Sequence, residues 1–342
     1  MPQEKILVIQ TAFLGDAVLT LPMIQELKNL YSNSEIDVLC IPSTAEIFSN
    51  SPFVSRVFVY DKKGGQKSLV SLLKLIIELK SFHYTKIYSP HRSFRSTIIA
   101  RFANAKETFS FDKSSFSFLY KHKMKYDNTK HEVARNLELI GFDFARRDWK
   151  ILPLIKITPN VKNTIEKFSG DENKKYIAIA PGSLWDTKKY PQEYFLEVSK
   201  NLAEKNFFLF FIGGQADKEL CEKLSSYLPD SSTALAGKLS IIESIALLQK
   251  CSLLISNDSA PTHLAMAADI PTLTIYCSTV PAFGFYPYNS QSKIISFDEL
   301  ACKPCGIHGY EECPIKTFEC AFKLKPGMVI EKINQILNRE EK

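Results

Sequence analysis

The run S-N-D-S-A-P-T-H-L-A, from Ser256 to Ala265, follows directly on the apolar stretch Cys251 to Ile255. This pattern predicts a buried strand that ends in small polar residues. A helix then starts at once, with Asp258 or Ser259 as N-cap and Pro261 in its first turn. Such a junction turns backbone N–H groups toward the crevice at the carboxyl end of a parallel sheet, where anions bind. An ordinary capped helix in an α/β domain uses the same residues, so two further junctions carry weight. In the first, Tyr176 to Ala180 runs into Pro181-Gly182-Ser183, then a polar loop with Lys188 and Lys189, then a helix opened by Pro191. A Gly-Ser turn lets the backbone approach a diphosphate and a lysine supplies a point charge; the alternative is a solvated loop. In the second, the apolar Lys5 to Gln10 leads through Thr11-Ala12-Phe13-Leu14-Gly15-Asp16 into an amphipathic helix from Ala17 to about Tyr31. Asp16 either caps that helix or points into the crevice as a base. No G-x-G-x-x-G follows the strand, so this is not a dinucleotide fingerprint.

These junctions need parallel sheets to hold them. The first half of the chain predicts strands at 5–10, 36–40, 56–60, 86–89 and 107–111, alternating with helices centred near 24, 74, 98 and 136. The second half repeats the rhythm with strands at 176–180, 207–212, 233–236, 253–256, 272–276 and 294–297. Alternation of this kind means α/β architecture with doubly wound parallel sheets. A breaker-rich stretch at 152–160 separates the halves, giving Rossmann-like domains at 1–155 and 156–325 that would face each other across a cleft. A last helix in 326–342 could pack back across the hinge. The apolar stretch Leu69 to Leu79, broken by Lys74 and Glu78, reads as a buried amphipathic helix.

At 342 residues, with 45% hydrophobic and 23% charged residues, the composition is that of a soluble globular protein. No apolar run reaches the length of a membrane span, and the expectation is a cytoplasmic protein without a signal peptide. The net charge of +6 is unevenly placed. Between Phe111 and Lys130, lysines including Lys121 and Lys123 alternate with Phe116, Phe118, Tyr120 and Tyr126. That mixture suits an anionic lipid surface or acceptor, or single-stranded nucleic acid, or an irregular loop whose aromatics pack inward. His91, Arg92 and Arg95 add a second basic patch, expected at the same end of the same sheet. Of eight cysteines, Cys302, Cys305, Cys313 and Cys320 crowd the C-terminal part. A zinc site there is a minor alternative, because the second pair is too widely spaced for a standard knuckle; reduced thiols are the default.

Taken together, G-D before the first helix, P-G-S…K-K-Y-P, the strand end Ile212-Gly213-Gly214, A-G-K-L-S at Ala236 to Ser240 and S-N-D-S-A-P-T-H-L-A form a recognisable set. Over essentially its whole length the chain resembles the glycosyltransferase family 9 heptosyltransferases of lipopolysaccharide core assembly. The C-K-P-C…C-P…C pattern looks most like the heptosyltransferase II branch. The resemblance implies a GT-B fold, with the acceptor on the N-terminal domain and ADP-L-glycero-D-manno-heptose on the C-terminal one. It implies an inverting transfer that needs no metal or other cofactor, to a lipid-linked heptosyl-Kdo-lipid A core at the cytoplasmic face of the inner membrane. The family's base matches Asp16; its diphosphate ligands match Ser183 and Lys188. Its donor-contacting segment matches Asp258, Ser259, Thr262 and His263, and its adenine turn matches Lys238 and Leu239. Tyr190 stands where many members have tryptophan and would keep an aromatic wall, and Ala260 stands where many have glycine. His91, Arg92, Arg95, Lys121 and Lys123 become the acceptor-side candidates.

The chemistry those residues could perform is consistent with this. Asp16 would take the proton of an acceptor hydroxyl attacking the anomeric carbon. Lys188, Ser183 and the helix start at Ser259 would stabilise the charge growing on departing ADP, with Asp258 as an anchor and His263 as a donor to phosphate. Rival readings are a GT-B transferase using another nucleotide sugar or a protein acceptor, a nucleotide-binding scaffold, and a nucleic-acid binder. A scaffold has no use for Asp16 alongside Lys188 and Asp258, and nucleic acid rests on the basic segment alone, so neither is the expected partner.

Overall fold

The computed structural model of the chain describes residues 3–171 and 173–338. The chain divides into two compact units between Lys156 and Ile157.

The first unit runs β1 (Lys5–Gln10), α1 (Leu14–Leu30), β2 (Glu35–Cys40), α2 (Ala45–Ser49), β3 (Arg56–Val59), α3 (Leu69–Ser81), β4 (Lys86–Ser89), α4 (Phe94–Phe102), β5 (Glu107–Phe111), β6 (His122–Met124) and α5 (Glu132–Glu138). Its strands form one parallel sheet in the order β3-β2-β1-β4-β5-β6. β1 lies at the centre, paired with β2 from Lys5↔Glu35 to Gln10↔Cys40 and with β4 from Ile6↔Lys86 to Val8↔Tyr88. Its near-continuous apolar sequence follows from that position, because both faces are covered. Leu7 and Ile9 point to the side where Leu72, Leu75, Ile76 and Leu79 of α3 and Ile99 and Ala100 of α4 complete a core. Ile6 and Val8, fully buried, point to the other side.

The second unit runs α6 (Pro159–Ser169), β7 (Lys175–Ala180), α7 (Gln192–Glu204), β8 (Phe207–Phe211), α8 (Lys218–Ser226), β9 (Ser232–Ala234), α9 (Ile241–Leu248), β10 (Cys251–Asn257), α10 (Ala260–Ala268), β11 (Thr272–Tyr276), β12 (Lys293–Ser296), α11 (Glu319–Phe322) and α12 (Pro326–Leu337). Its parallel sheet has the order β12-β11-β10-β7-β8-β9. Within each unit this is the same doubly wound order, which reverses between the first and fourth strands: β1 and β4, then β7 and β10. Chains turn opposite ways from such a pair, so their carboxyl ends open a crevice that the fold itself does not fill.

Several expectations change here. The segment 111–130 is not simply an irregular loop, since His122–Met124 adds a sixth, edge strand. Phe111 and Tyr120 pack inward, while Phe116 and Phe118 stay exposed. α3 is buried on one face only; Leu69, Val70, Leu73 and Ile77 are exposed on the other. α12 packs on α7 and β12 of the second unit, through Val329, Ile333 and Ile336. The last four residues of the expected 326–342 helix lie outside the described residues. No described helix is long and apolar enough to cross a membrane.

Candidate functional site

In the second unit, the crevice between β7 and β10 collects the second-half motifs. Asn257, the last residue of β10, is fully buried. Its Nδ2 donates to the carbonyls of Pro181 (2.7 Å) and Gly182 (3.3 Å), and its Oδ1 accepts from the Tyr190 N–H at 3.0 Å. One amide thus holds both ends of the P-G-S…K-K-Y-P loop, a role the sequence reading missed. Lys188 ends a short turn in that loop, and its Nζ lies 2.6 Å from Asp258 Oδ2. Asp258 also accepts from the Thr279 hydroxyl at 2.7 Å. Asp258 is therefore the anchor of Lys188 and does not cap α10. Both side chains are largely buried, which strengthens their attraction and fixes the ammonium in place.

Ser259 is the N-cap residue of α10, in an extended backbone conformation, with Pro261 in the first turn. No side chain caps the helix; the Ser259 hydroxyl turns back to the Asn257 carbonyl at 3.3 Å. The positive end of α10 is left open beside Lys188. Ser183, partly exposed, follows the Gly182 turn on the neighbouring strand. A Cβ at Gly182 or Gly213 would run into the Asp217 carboxylate, which accepts from the Gly214 N–H at 2.9 Å. The glycines are thus required by this close approach, and Asp217 becomes a rim carboxylate absent from the sequence reading.

Other expected donor residues have different work. The Thr262 hydroxyl is buried and spends its hydrogen bonds on the Asn257 carbonyl (3.3 Å) and Thr274 (3.1 Å). Its part in the site is structural. Tyr190 is no aromatic wall: it is buried, donates to the Leu324 carbonyl at 2.7 Å, and packs edge-on against Phe195. His263 is buried with its Nδ1 unpartnered. Burial, and then the Lys188 charge, pull its pKa down to about 3, so the ring is neutral near physiological pH. Lys238 is exposed at the turn after β9, where Gly237 takes φ +72° and donates to the Gly213 carbonyl at 3.1 Å. Its Nζ returns to the Ala234 carbonyl at 2.8 Å, and Leu239 beside it is partly exposed.

The cysteine-rich segment contributes unexpectedly. Gly309, at φ +81°, lies where a Cβ would stand 2.9 Å from Thr187 Oγ1 and 3.0 Å from the Lys188 side chain. Thr187 also hydrogen-bonds the backbone of Tyr310 and the Ser278 hydroxyl. This segment covers the flank of Lys188. Cys302, Cys305, Cys313 and Cys320 are free thiols ranging from exposed to buried. Among the described residues no three His, Cys, Asp or Glu side chains come together as a metal-binding set, so the zinc alternative gains no geometry.

In the first unit, Asp16 is the third residue of α1, behind the extended N-cap residue Phe13. Its carboxyl pKa is raised from 3.8 to about 7, chiefly by burial and then by the negative charge of Glu132. The N–H groups of Asp16 and Phe13 and the Arg92 charge pull the other way. Capping and base are therefore not alternatives, since the carboxylate faces helix-start amides and is still poised near neutrality. Glu132 is buried with Arg135 (2.6 Å) and accepts from Tyr126 Oη at 3.3 Å. Arg92 lies over the Tyr126 ring at 3.8 Å. This cluster was missed, although H-E-V-A-R places Glu132 and Arg135 one turn apart.

The acceptor-side candidates separate. His91 Nδ1 is bonded to Thr11 Oγ1 (2.8 Å) and Ser96 Oγ (3.2 Å). Burial, then Lys62 and Arg92, lower its pKa to about 4, so it adds no positive charge. Arg95 holds the 61–67 loop through the Lys62 carbonyl (3.0 Å) and Tyr60 Oη (3.3 Å). Lys62, unremarked in the sequence, donates to the Thr11 carbonyl at 2.6 Å beside this rim. Lys121 precedes β6 and binds the carbonyl of Lys106, just before β5. It therefore sits at the amino end of the sheet, opposite Arg92, because β6 runs parallel to β5. Lys123 is exposed within β6, paired with Ser110. The expected single patch at one sheet end is in fact two.

The sequence profile of glycosyltransferase family 9 (heptosyltransferase) matches residues 72–313. The chain is 27% identical to lipooligosaccharide heptosyltransferase 2 of Campylobacter jejuni over 338 residues, covering 97% of this chain and 99% of that one. Among solved structures, E. coli ADP-heptose LPS heptosyltransferase II superimposes with a TM-score of 0.81 at 20% identity, over 99% of this chain and 100% of that one. E. coli heptosyltransferase WaaC with ADP-2-deoxy-2-fluoro heptose gives 0.74 at 17% identity, over 97% and 99%. Two doubly wound sheets with polar switch-point junctions, and a profile match across most of the length, place the chain in glycosyltransferase family 9, with the GT-B fold.

Proposed function

We propose that this chain moves L-glycero-D-manno-heptose from ADP-heptose onto the lipid-linked inner core of lipopolysaccharide, with inversion. The observation that carries the reading is the Asp16 carboxyl, raised to about 7 at the head of α1. A general base works best when its pKa lies near the working pH, and that is what deprotonating a sugar hydroxyl during attack requires. The second unit supplies the complementary part, an anion site made of Lys188, the uncapped start of α10 and the Gly182-Ser183 turn. As the glycosidic bond to the diphosphate breaks, negative charge grows on ADP; the fixed ammonium and helix amides favour that product-like charge over the ground state. Asp258 keeps Lys188 aimed, Asn257 keeps its loop in place, and neutral His263 adds a hydrogen bond without competing charge. Arg92 and Lys62 give the acceptor side cations suited to acidic core sugars. Relatives that carry the name heptosyltransferase 2 support a second-heptose acceptor; our reading sets that acceptor in the inner core, met at the cytoplasmic face of the inner membrane.

The test is mass spectrometry of products after incubation with ADP-heptose and a panel of truncated core acceptors. A mass increase of one heptose on a heptosyl-Kdo acceptor is expected. Transfer from another nucleotide sugar only, or to protein only, overturns the donor or the acceptor.

A further inference from the structure

The outer face of α3 is not used by the chemistry above. Leu69, Val70, Leu73 and Ile77 are exposed by 78, 62, 58 and 68%, while Leu72, Leu75, Ile76 and Leu79 bury the opposite face. A helix covering a sheet needs one apolar stripe. A second stripe of large side chains contributes nothing to folding and lowers solubility unless something covers it. α4 extends the surface, since Phe94, Ile98 and Phe102 recur every four residues and so share a face. Phe116 joins Phe94 at 5.2 Å and Phe118 joins Phe116 at 5.9 Å. Between the helices runs an apolar groove of about 440 Å³, lined by Leu69, Leu73, Ile77, Ile98 and Phe102.

Charge identifies the occupant. Exposed Lys67, Lys74, Lys80 and Arg101 border these residues. Between 62 and 126 the chain carries fourteen lysines and arginines against three acidic residues, although its total is only +6. The positive charge is therefore concentrated in this part of the chain, and on the α3–α4 face itself Lys67, Lys74, Lys80 and Arg101 outnumber the exposed Glu78. A second copy docked through the same face would bring like charges together. An anionic bilayer satisfies both halves of the surface: apolar side chains enter the acyl boundary and the cations meet lipid phosphates.

We propose that the α3–α4 face, continued by Phe116 and Phe118, is the surface by which this chain docks on an anionic phospholipid bilayer. The proposal takes its purpose from the lipid-linked acceptor read above, while its physical basis is independent of the reaction. The test is sedimentation of the full chain with vesicles of phosphatidylethanolamine and phosphatidylglycerol, against vesicles of phosphatidylcholine. The chain is expected to bind the anionic vesicles, less so at high salt, and to bind the neutral ones weakly. Leu73→Glu with Ile77→Glu, and separately Lys74→Glu with Arg101→Glu, should each lower binding at least about tenfold. Transfer to a water-soluble truncated acceptor should be unchanged, while transfer to vesicle-embedded acceptor falls with binding. If the glutamate pair fails to fold by circular dichroism, Leu73→Ser with Ile77→Ser replaces it. Wild-type chain that ignores anionic vesicles, or variants that bind as wild type, overturns the proposal. So does a variant that loses self-association in sedimentation velocity yet keeps vesicle binding. Intact vesicle binding with no transfer to either acceptor would refute the heptosyltransfer reading and leave the docking surface standing.

Discussion

At the scale of single residues the proposed base is Asp16, and its raised pKa makes two linked predictions. A base protonated below about 7 gives a rate that rises with pH through that region. Glu132 adds to the raised value, so Glu132→Gln, which keeps an acceptor for Arg135, should move the acidic limb of the pH–rate profile downward. An unmoved limb would exclude Glu132 as the tuning charge. The same shift is a stability statement. The folded pKa lies above the ordinary 3.8, so holding the carboxylate ionised costs nothing below 3.8 and the full amount above about 7. Asp16→Asn should abolish transfer, leave ADP affinity unchanged, and above pH 7 stabilise the fold by about 1–2 kcal/mol. Retained turnover would reject the base. Lys188→Ala should weaken ADP binding by about 1.5–3 kcal/mol in calorimetry, the loss expected for a charge-assisted hydrogen bond. Its effect includes leaving Asp258 buried with Thr279 as its remaining partner named above, so Asp258→Asn in the same background should recover part of the lost stability.

At the scale of elements, the site is a property of strand ends. The turn after β7 and the loop before α7 are held by one side chain, Asn257, from β10. Asn257→Ala would leave the Tyr190 N–H without its buried acceptor, a loss of about 1–3 kcal/mol. It should also release the loop that carries Lys188. Denaturant unfolding together with ADP calorimetry checks this: both stability and affinity should fall, whereas a fall in stability alone would mean the loop is positioned by other contacts. The helices differ in the same spirit. α9 carries a full capping box between Ser240 and Glu243, whereas α10 starts without a side-chain cap. An uncapped start is a local cost of folding, and at a switch point a bound anion can offset it.

For the whole molecule, each unit has its own sheet and core, and the acidic limit of stability has an identifiable source. His91 and His263 are neutral in the fold, with pKa values lowered to about 4 and about 3. Their unfolded forms take up protons below about 6.5, so the stability they contribute is complete above that pH and is lost as pH falls toward 4 and 3. Relief of the Asp16 cost opposes this loss between pH 7 and pH 5, so the check is made in Asp16→Asn: its denaturant midpoint should fall from neutral pH to pH 5, and less steeply when His263→Gln is added.

The sequence alone determined the main strands and helices, the edge strand His122–Met124 apart, and the points where polar residues interrupt them. Strands such as Lys5–Gln10 and Lys175–Ala180 and the junctions at Asp16, Ser183 and Asp258 stand where the pattern put them, because hydrophobic period and turn chemistry are local properties of the chain. Tertiary structure decided what each side chain is free to do. Thr262 and Tyr190 carry suitable groups at suitable positions, yet Thr274 and Leu324 take their hydrogen bonds. Asp16 gains its base-like pKa partly from Glu132, far along the chain, and α3 shows a second apolar face that its sequence alone reads as buried. Burial, pairing and charge proximity are relations between distant residues, and they exist only once the sheet has brought those residues together.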